Sequence, residues 1–209
     1  MKITVVGSGG WGTALAILLH NNGHQVTVWS FSQAEVDHIR EYHENALLKG
    51  VAVPEEIALT TDISAVKDAD FLGITIQYEM CYTNILQILD LSQIPIEAAD
   101  RTENDPILIG GGPCTYNPEP IAEFFDLFYM GEGEISYDAL LDLYKKMKQE
   151  GASRKDFLHE AAKIPGIYVP SLYEVSYKED GTIAGFEPVY EDVPRTVTKQ
   201  IVTDMTQAV

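Results

Sequence analysis

Short apolar runs alternate with polar stretches of helical spacing from the first residues of this chain. Lys2 to Val6 (KITVV) is β-branched and predicts a strand, and glycines follow at once. Thr13 to Asn22 carries Leu15, Ile17, Leu18 and Leu19 at helical spacing and stops at Asn-Asn-Gly. Gln25 to Trp29 predicts the next strand, Ala34 to Leu48 a polar-faced helix, and Ile57 to Thr60 a short strand. The alternation continues with a strand at Phe71 to Ile76 and a helix at Cys81 to Leu91, its buried side formed by Ile85, Leu86, Ile88 and Leu89. Strands are expected at Ile94 to Ala98, Ile107 to Ile109 and Asp126 to Met130, the last preceded by a short helix after Pro118 and Pro120. Ser136 to Lys148 and Lys155 to Lys163 predict two amphipathic helices. Strands alternating with helices in this way imply a doubly wound, mainly parallel sheet with helices on both faces, a three-layer α/β fold.

From Gly166 the texture changes. Ile167 to Val169 and Tyr173 to Tyr177 predict strands, and the Asp180-Gly181 turn before Ile183 to Val189 predicts a C-terminal β-hairpin. Tyr190 to Val209 has no periodicity and is expected to be an appendage or linker.

The 209 residues suit one domain, large enough to bury roughly 70 % of the surface its unfolded chain exposes without a covalent staple. The 14 basic and 32 acidic residues give a net charge of −18, which disfavours nucleic acid and anionic membranes as partners. No apolar run approaches the ~20 residues that span a bilayer, and the first residues predict a strand rather than a signal peptide. Cys81 and Cys114 are too far apart for a Cys-x-x-Cys metal site and are expected to be reduced thiols of a cytoplasmic protein.

The first chemistry lies between the first strand and helix. Gly7-Ser8-Gly9-Gly10-Trp11-Gly12 fits Gly-x-Gly-x-x-Gly, and it follows a strand and opens a helix, the context that gives the pattern meaning. Gly7 permits the tight turn, Gly9 lets a pyrophosphate approach the backbone, and Gly12 lets the helix pack closely on the strand. The helix N-terminus then supplies N–H donors and a favourable dipole for phosphate. The alternative is a glycine-rich turn that binds nothing. An acid normally ends the second strand and holds the ribose 2′-OH. Here Val28-Trp29-Ser30-Phe31-Ser32 offers none. Ser30 and Ser32 could bond a ribose or a 2′-phosphate, while Phe31 either stacks on adenine or packs under the next helix.

KITVVGSGGWGTALAILLHNNGHQVTVW, followed by a polar helix and GVAVPEEIALTTDISAVKDAD, strongly resembles the N-terminal Rossmann half of bacterial NAD(P)-dependent glycerol-3-phosphate dehydrogenases. The resemblance implies NAD or NADP as cofactor, with Gly7, Gly9, Gly10, Trp11 and Gly12 in the phosphate loop. It stops after Asp70, where that family has an apolar strand with a Val-Pro-Ser-type turn and then a large helical catalytic domain. Phe31 stands where the family often has Arg.

From residue 71 onward the chain resembles another family. The strand Phe71 to Gln77 with Tyr78-Glu79-Met80-Cys81-Tyr82-Thr83-Asn84, then Ile109-Gly110-Gly111-Gly112-Pro113-Cys114, Asn117-Pro118-Glu119-Pro120 and Gly131-Glu132-Gly133-Glu134, looks like the flavodoxin-like, cobalamin-binding-type domain of radical S-adenosylmethionine proteins. That resemblance implies a second loop set facing a corrin: Gln77, Gly110, Gly111, Gly112, Gly131, Glu132 and Gly133. Two cysteines cannot supply an iron–sulfur cluster, and no Asp-x-His-x-x-Gly loop offers a histidine to cobalt.

The two segments meet between Ala69 and Leu72, where composition also steps. Both tryptophans precede residue 71, and the parts carry net charges of −5 and −13. The expectation is a single α/β domain over 1–209, comprising a dehydrogenase-like segment (1–70), a cobalamin-domain-like segment (71–165) and a hairpin with tail (166–209). Such a chain would be a fold chimera, engineered or recombinant, without a complete active site. It would bind a small-molecule dinucleotide through its glycine loop. The alternatives are a working NAD(P)-dependent oxidoreductase and a cobalamin-binding module. No residue is expected to be catalytic or to ligate a metal. Glu123, Asp126, Glu132 and Glu134 are expected on a solvated turn rather than in acid–base chemistry.

Overall fold

The computed structural model describes residues 1–132 and 136–204. Seven strands form a sheet in the order β5-β2-β1-β6-β7-β8-β9. The pairs β1–β2, β1–β6, β2–β5 and β7–β8 are parallel, and the edge pair β8–β9 is antiparallel. The chain divides into two compact units, residues 1–73, 87–95 and 104–107 in the first, 74–86, 96–103 and 108–209 in the second.

In the first unit, β1 (Lys2–Val6), α1 (Gly10–Asn21), β2 (Gln25–Trp29) and α2 (Gln33–Tyr42) follow the predicted order. β1 and β2 pair from Lys2↔Gln25 to Val6↔Trp29, so both strands end at the same level. Val5, Ala16, Val26, Val28, Ile39, Val53 and Ile57 form the core, with Ile17, Leu19 and Leu59 packed against it. The helix expected to run from Ala34 to Leu48 ends at Tyr42. His43 adopts a left-handed conformation (φ 50°) and donates its N–H to Ile39 O, which closes the helix. The chain then makes an antiparallel ribbon, β3 (Glu44–Asn45) with β4 (Leu48–Ala52), before β5 (Ala58–Thr60).

β6 (Phe71–Thr75) and β7 (Ile107–Gly111) have residues in both units. The strand expected at Ile94–Ala98 is absent. Ile94 is buried, but Pro95 offers no N–H to a ladder, and Ala98–Asp100 turn as a 3₁₀ helix.

The second unit contains α3 (Tyr82–Leu91) in part, β8 (Leu127–Tyr129), α4 (Tyr137–Gln149), α5 (Arg154–Ala161) and β9 (Ile167–Tyr168). The segment after Pro118 is a 3₁₀ helix, Glu119–Phe124. Leu108, Leu127, Phe128, Tyr129, Leu140 and Ile167 are fully buried, and the Phe125 and Phe128 rings lie 4.7 Å apart. The predicted hairpin forms from β10 (Tyr173–Tyr177) and β11 (Ile183–Pro188). Asp126 is not on a solvated turn. It is 3 % exposed and accepts from Arg101 Nη1 at 2.9 Å, Arg154 Nη2 at 2.7 Å and Leu108 N at 2.8 Å. The sequence beyond Tyr190 also does more than append. Gln200 pairs in parallel with Gly131, donating its N–H to Met130 O and accepting from Glu132 N, both at 3.0 Å.

Candidate functional site

The glycine turn forms as the sequence spacing requires. Gly7 N donates to Trp29 O at 2.9 Å, which ties the turn to the end of β2. Gly7 has φ +115°, a conformation that only glycine adopts without strain. A Cβ on Gly12 would stand 2.1 Å from Gly7 O, so only glycine lets α1 start this close to β1. Gly9 caps α1 without any side-chain hydrogen bond, and Thr13 N to Gly9 O (2.9 Å) is the first intrahelical bond. The N–H groups of Gly10, Trp11 and Gly12 therefore lack intrahelical acceptors. A Cβ placed on Gly9 would meet nothing within 4 Å. The open side of the turn thus presents uncapped N–H donors at the positive end of a helix dipole, and a phosphate fits there.

The β3–β4 ribbon holds this turn in place. Asn45, 4 % exposed, donates from Nδ2 to Ser8 O at 2.6 Å and to Thr13 Oγ1 at 2.7 Å, while its Oδ1 accepts from Leu47 N at 2.8 Å. Leu47 O lies 2.9 Å from where a Cβ on Gly10 would be, so Gly10 is needed for the ribbon to approach. The sequence pattern hid this clamp, because Ala46, Leu47 and Leu48 continue a helical spacing.

The end of β2 carries no acid of its own, but Glu35 reaches it from α2. Its carboxylate accepts a short hydrogen bond from Ser8 Oγ, in the glycine turn, and another from Ser30 Oγ at 2.8 Å, at the end of β2. These hydroxyl donors, Ser8 before Ser30, hold the Glu35 carboxyl below its ordinary pKa, so it is ionised at neutral pH. The signal was present as Ser32-x-x-Glu35, the spacing of a capping box. Ser32 does cap α2, accepting from Glu35 N, but the Glu35 side chain reaches the turn instead of returning to Ser32 N. Ser32 N bonds to Ser30 Oγ at 3.1 Å. Ser30 is 1 % exposed, with its hydroxyl bonded to Glu35 and Ser32 N. Trp11 and Phe31 are more than four-fifths exposed, so Phe31 does not pack under α2.

The residues of the second loop set differ in their surroundings. The space beside Gly110 is filled by the Phe128 ring, 2.6 Å from a would-be Cβ, so Gly110 serves packing. Gly112 abuts Ile76 O, and Gly131 is covered by Gln200, whose O lies 2.1 Å from the Cβ position. Glu132 bonds Val202 N, Gln77 is exposed, and Gly111 lies open except for the Tyr137 hydroxyl 3.8 Å away. Gly133 and Glu134 lie outside the described residues.

A parallel sheet whose first crossover begins with an uncapped glycine turn places this chain among doubly wound α/β proteins with a dinucleotide-type loop. Two family models match it. Residues 50–170, more than half of the chain, match the model described as radical SAM proteins, N-terminal, and the chain belongs to that family. Residues 2–94 match the NAD-dependent glycerol-3-phosphate dehydrogenase N-terminus. The two matches overlap over residues 50–94. Among curated relatives, a glycerol-3-phosphate dehydrogenase (NAD(P)+) of Fusobacterium nucleatum is 36 % identical over 110 residues, 50 % of this chain and 33 % of that protein. The same enzyme of Streptococcus uberis is 46 % identical over 71 residues, 33 % of this chain and 21 % of that protein. The chain thus spans a third or less of the length of these relatives. A solved structure of glycerol-3-phosphate dehydrogenase from Coxiella burnetii is 20 % identical, with a TM-score of 0.45, covering 63 % of this chain and 41 % of that one. Residues 2–94 are a glycerol-3-phosphate-dehydrogenase-like Rossmann segment, and no described helix is long and apolar enough to cross a membrane.

Proposed function

We propose that the first unit binds a nicotinamide adenine dinucleotide, with the pyrophosphate on the N–H groups of Gly10, Trp11 and Gly12 and the adenosine toward β2. The observation that carries this reading is the shape of the glycine turn. Gly12 is blocked at 2.1 Å and Gly7 needs its positive φ, as folding demands, whereas Gly9 faces open space and has no structural need to be glycine. A glycine with open space beside it leaves the backbone bare for a ligand to come close. The names of the curated relatives support the same reading. When bound, the nicotinamide ring supplies hydride chemistry. What this chain contributes is the phosphate-binding turn, its clamp by Asn45, and Glu35 beside it.

The chain as a whole is a fold chimera that joins a dehydrogenase-type half to a radical-SAM-type half. It acts as a binding module rather than as an oxidoreductase. In support, the dehydrogenase family model matches residues 2–94 and the radical SAM N-terminal model residues 50–170. Gly9→Val tests the binding reading directly. Its φ of −62° and ψ of 170° suit valine, so the variant should fold with an unchanged circular dichroism spectrum, at a cost of about 1 kcal/mol at the α1 N-cap. It should no longer quench tryptophan emission when NADH is added, as the parent does. Equal quenching by parent and variant would overturn the reading. Oxidation of glycerol 3-phosphate with NAD+ above background would instead establish the oxidoreductase.

A further inference from the structure

We infer that Glu35 selects NAD over NADP, by accepting the hydroxyls of the adenosine ribose and repelling a 2′-phosphate; this rests on the dinucleotide reading of the glycine turn. The carboxylate bridges two points, Ser8 in the turn between β1 and α1 and Ser30 at the end of β2. These strands are adjacent and parallel and end in register at Val6↔Trp29. A nucleotide whose phosphates rest on the start of α1 and whose adenine lies toward β2 must carry its ribose across this bridge. Both bridging bonds end on Oε2, and among the described residues Oε1 has no hydrogen-bond partner. One oxygen is thus anchored while the other is available to a diol. The Ser8 and Ser30 hydroxyls keep the group ionised, so it accepts from hydroxyls and opposes a dianionic phosphate.

The basic residue of α2 does not supply a compensating cation to the same place. Arg40, the basic residue in the last turn of α2, donates instead to Leu59 O at 2.6 Å and pairs with Asp37. The residue after Ser30 is Phe31, exposed and uncharged. The acid thus comes from the first turn of α2 rather than from the strand end, three residues beyond its N-cap, and it meets the turn through two serines.

Isothermal titration of the full chain with NAD+ and NADP+ tests the inference. The parent should bind NAD+ at least about tenfold more tightly than NADP+, a difference of about 1.4 kcal/mol. Glu35→Gln keeps an acceptor for both serines and removes the charge, and it should narrow that ratio to near unity, chiefly by strengthening NADP+ binding. Binding of both nucleotides by the parent with equal affinity would overturn the role of Glu35 while leaving the dinucleotide reading intact. The same holds for a ratio that Glu35→Gln does not move. Heat from neither nucleotide would overturn the dinucleotide reading and the inference with it. The parent's own ratio needs no variant, so the test stands if Glu35→Gln is poorly folded.

Discussion

Replacing Asp126 by alanine should be among the most damaging single changes in the second unit. The carboxylate accepts from Arg101 Nη1 (2.9 Å), Leu108 N (2.8 Å), and Arg154 Nη2 and Nε (2.7 and 3.2 Å). The Arg101 side chain has no exposed surface, and those of Asp126 and Arg154 are 2 % and 9 % exposed. Arg154 can turn outward, toward water and Glu103, whose carboxylate already accepts its backbone N–H. Arg101 cannot, because its Nη2 is fixed to the Ile96 and Phe124 carbonyls at 2.9 and 2.7 Å. Asp126→Ala therefore removes the buried carboxylate that Arg101 and Arg154 share, a change that costs about 3–5 kcal/mol. For a chain of this size that lowers the melting temperature by about 6–20 °C. Differential scanning calorimetry at pH 7 reads it. The double variant Arg101→Met with Asp126→Leu removes the charge together with its partner and should recover most of the loss. An Asp126→Ala chain melting within about 2–4 °C of the parent, equivalent to about 1 kcal/mol, would refute the reasoning.

Asn45→Ala leaves Ser8 O and Thr13 Oγ1 without their donor, so chemical denaturation should show a loss of about 1–3 kcal/mol and NADH should bind more weakly. Gly131→Ala would drive a Cβ into Gln200 O and strain a φ of +116°, so it should release the tail, read as faster tryptic cleavage after Lys199. Asp192 is pushed down to about 2 by hydrogen bonds from His159 and then Lys163. Its ionised form therefore stabilises the fold above the ordinary carboxylate value of 3.8, and that contribution is lost as pH falls toward 2. Thermal melts should show Asp192→Asn less stable than the parent at pH 6 and equal to it at pH 2.

Much of the fold was legible because it follows from local patterns. β1, β2 and β10 begin and end where the β-branched and aromatic runs do, and the glycine turn declared itself by its place between a strand and a helix. The remainder depends on contacts between distant residues. Glu35 looked like an ordinary first-turn acid, and its meaning comes from Ser8, 27 positions earlier. Asn45 reads as a polar helix residue until His43 turns left-handed and a two-strand ribbon carries it over the turn. Asp126 lies in an acidic stretch, and its burial is set by Arg101 and Arg154, 25 and 28 positions away. Pro95 carried a local warning against the strand expected there, but the alternation on either side outweighed it.

The central claim is that the turn from Gly7 to Gly12 receives a dinucleotide, and backbone amide shifts locate a ligand residue by residue. On titrating NADH into the isotopically labelled chain, the amides of Gly9, Gly10, Trp11 and Gly12, with those of Ser8 and Glu35, should move together and saturate. Amides that stay in place at millimolar NADH and NADPH, or that move only in the second unit, would contradict it.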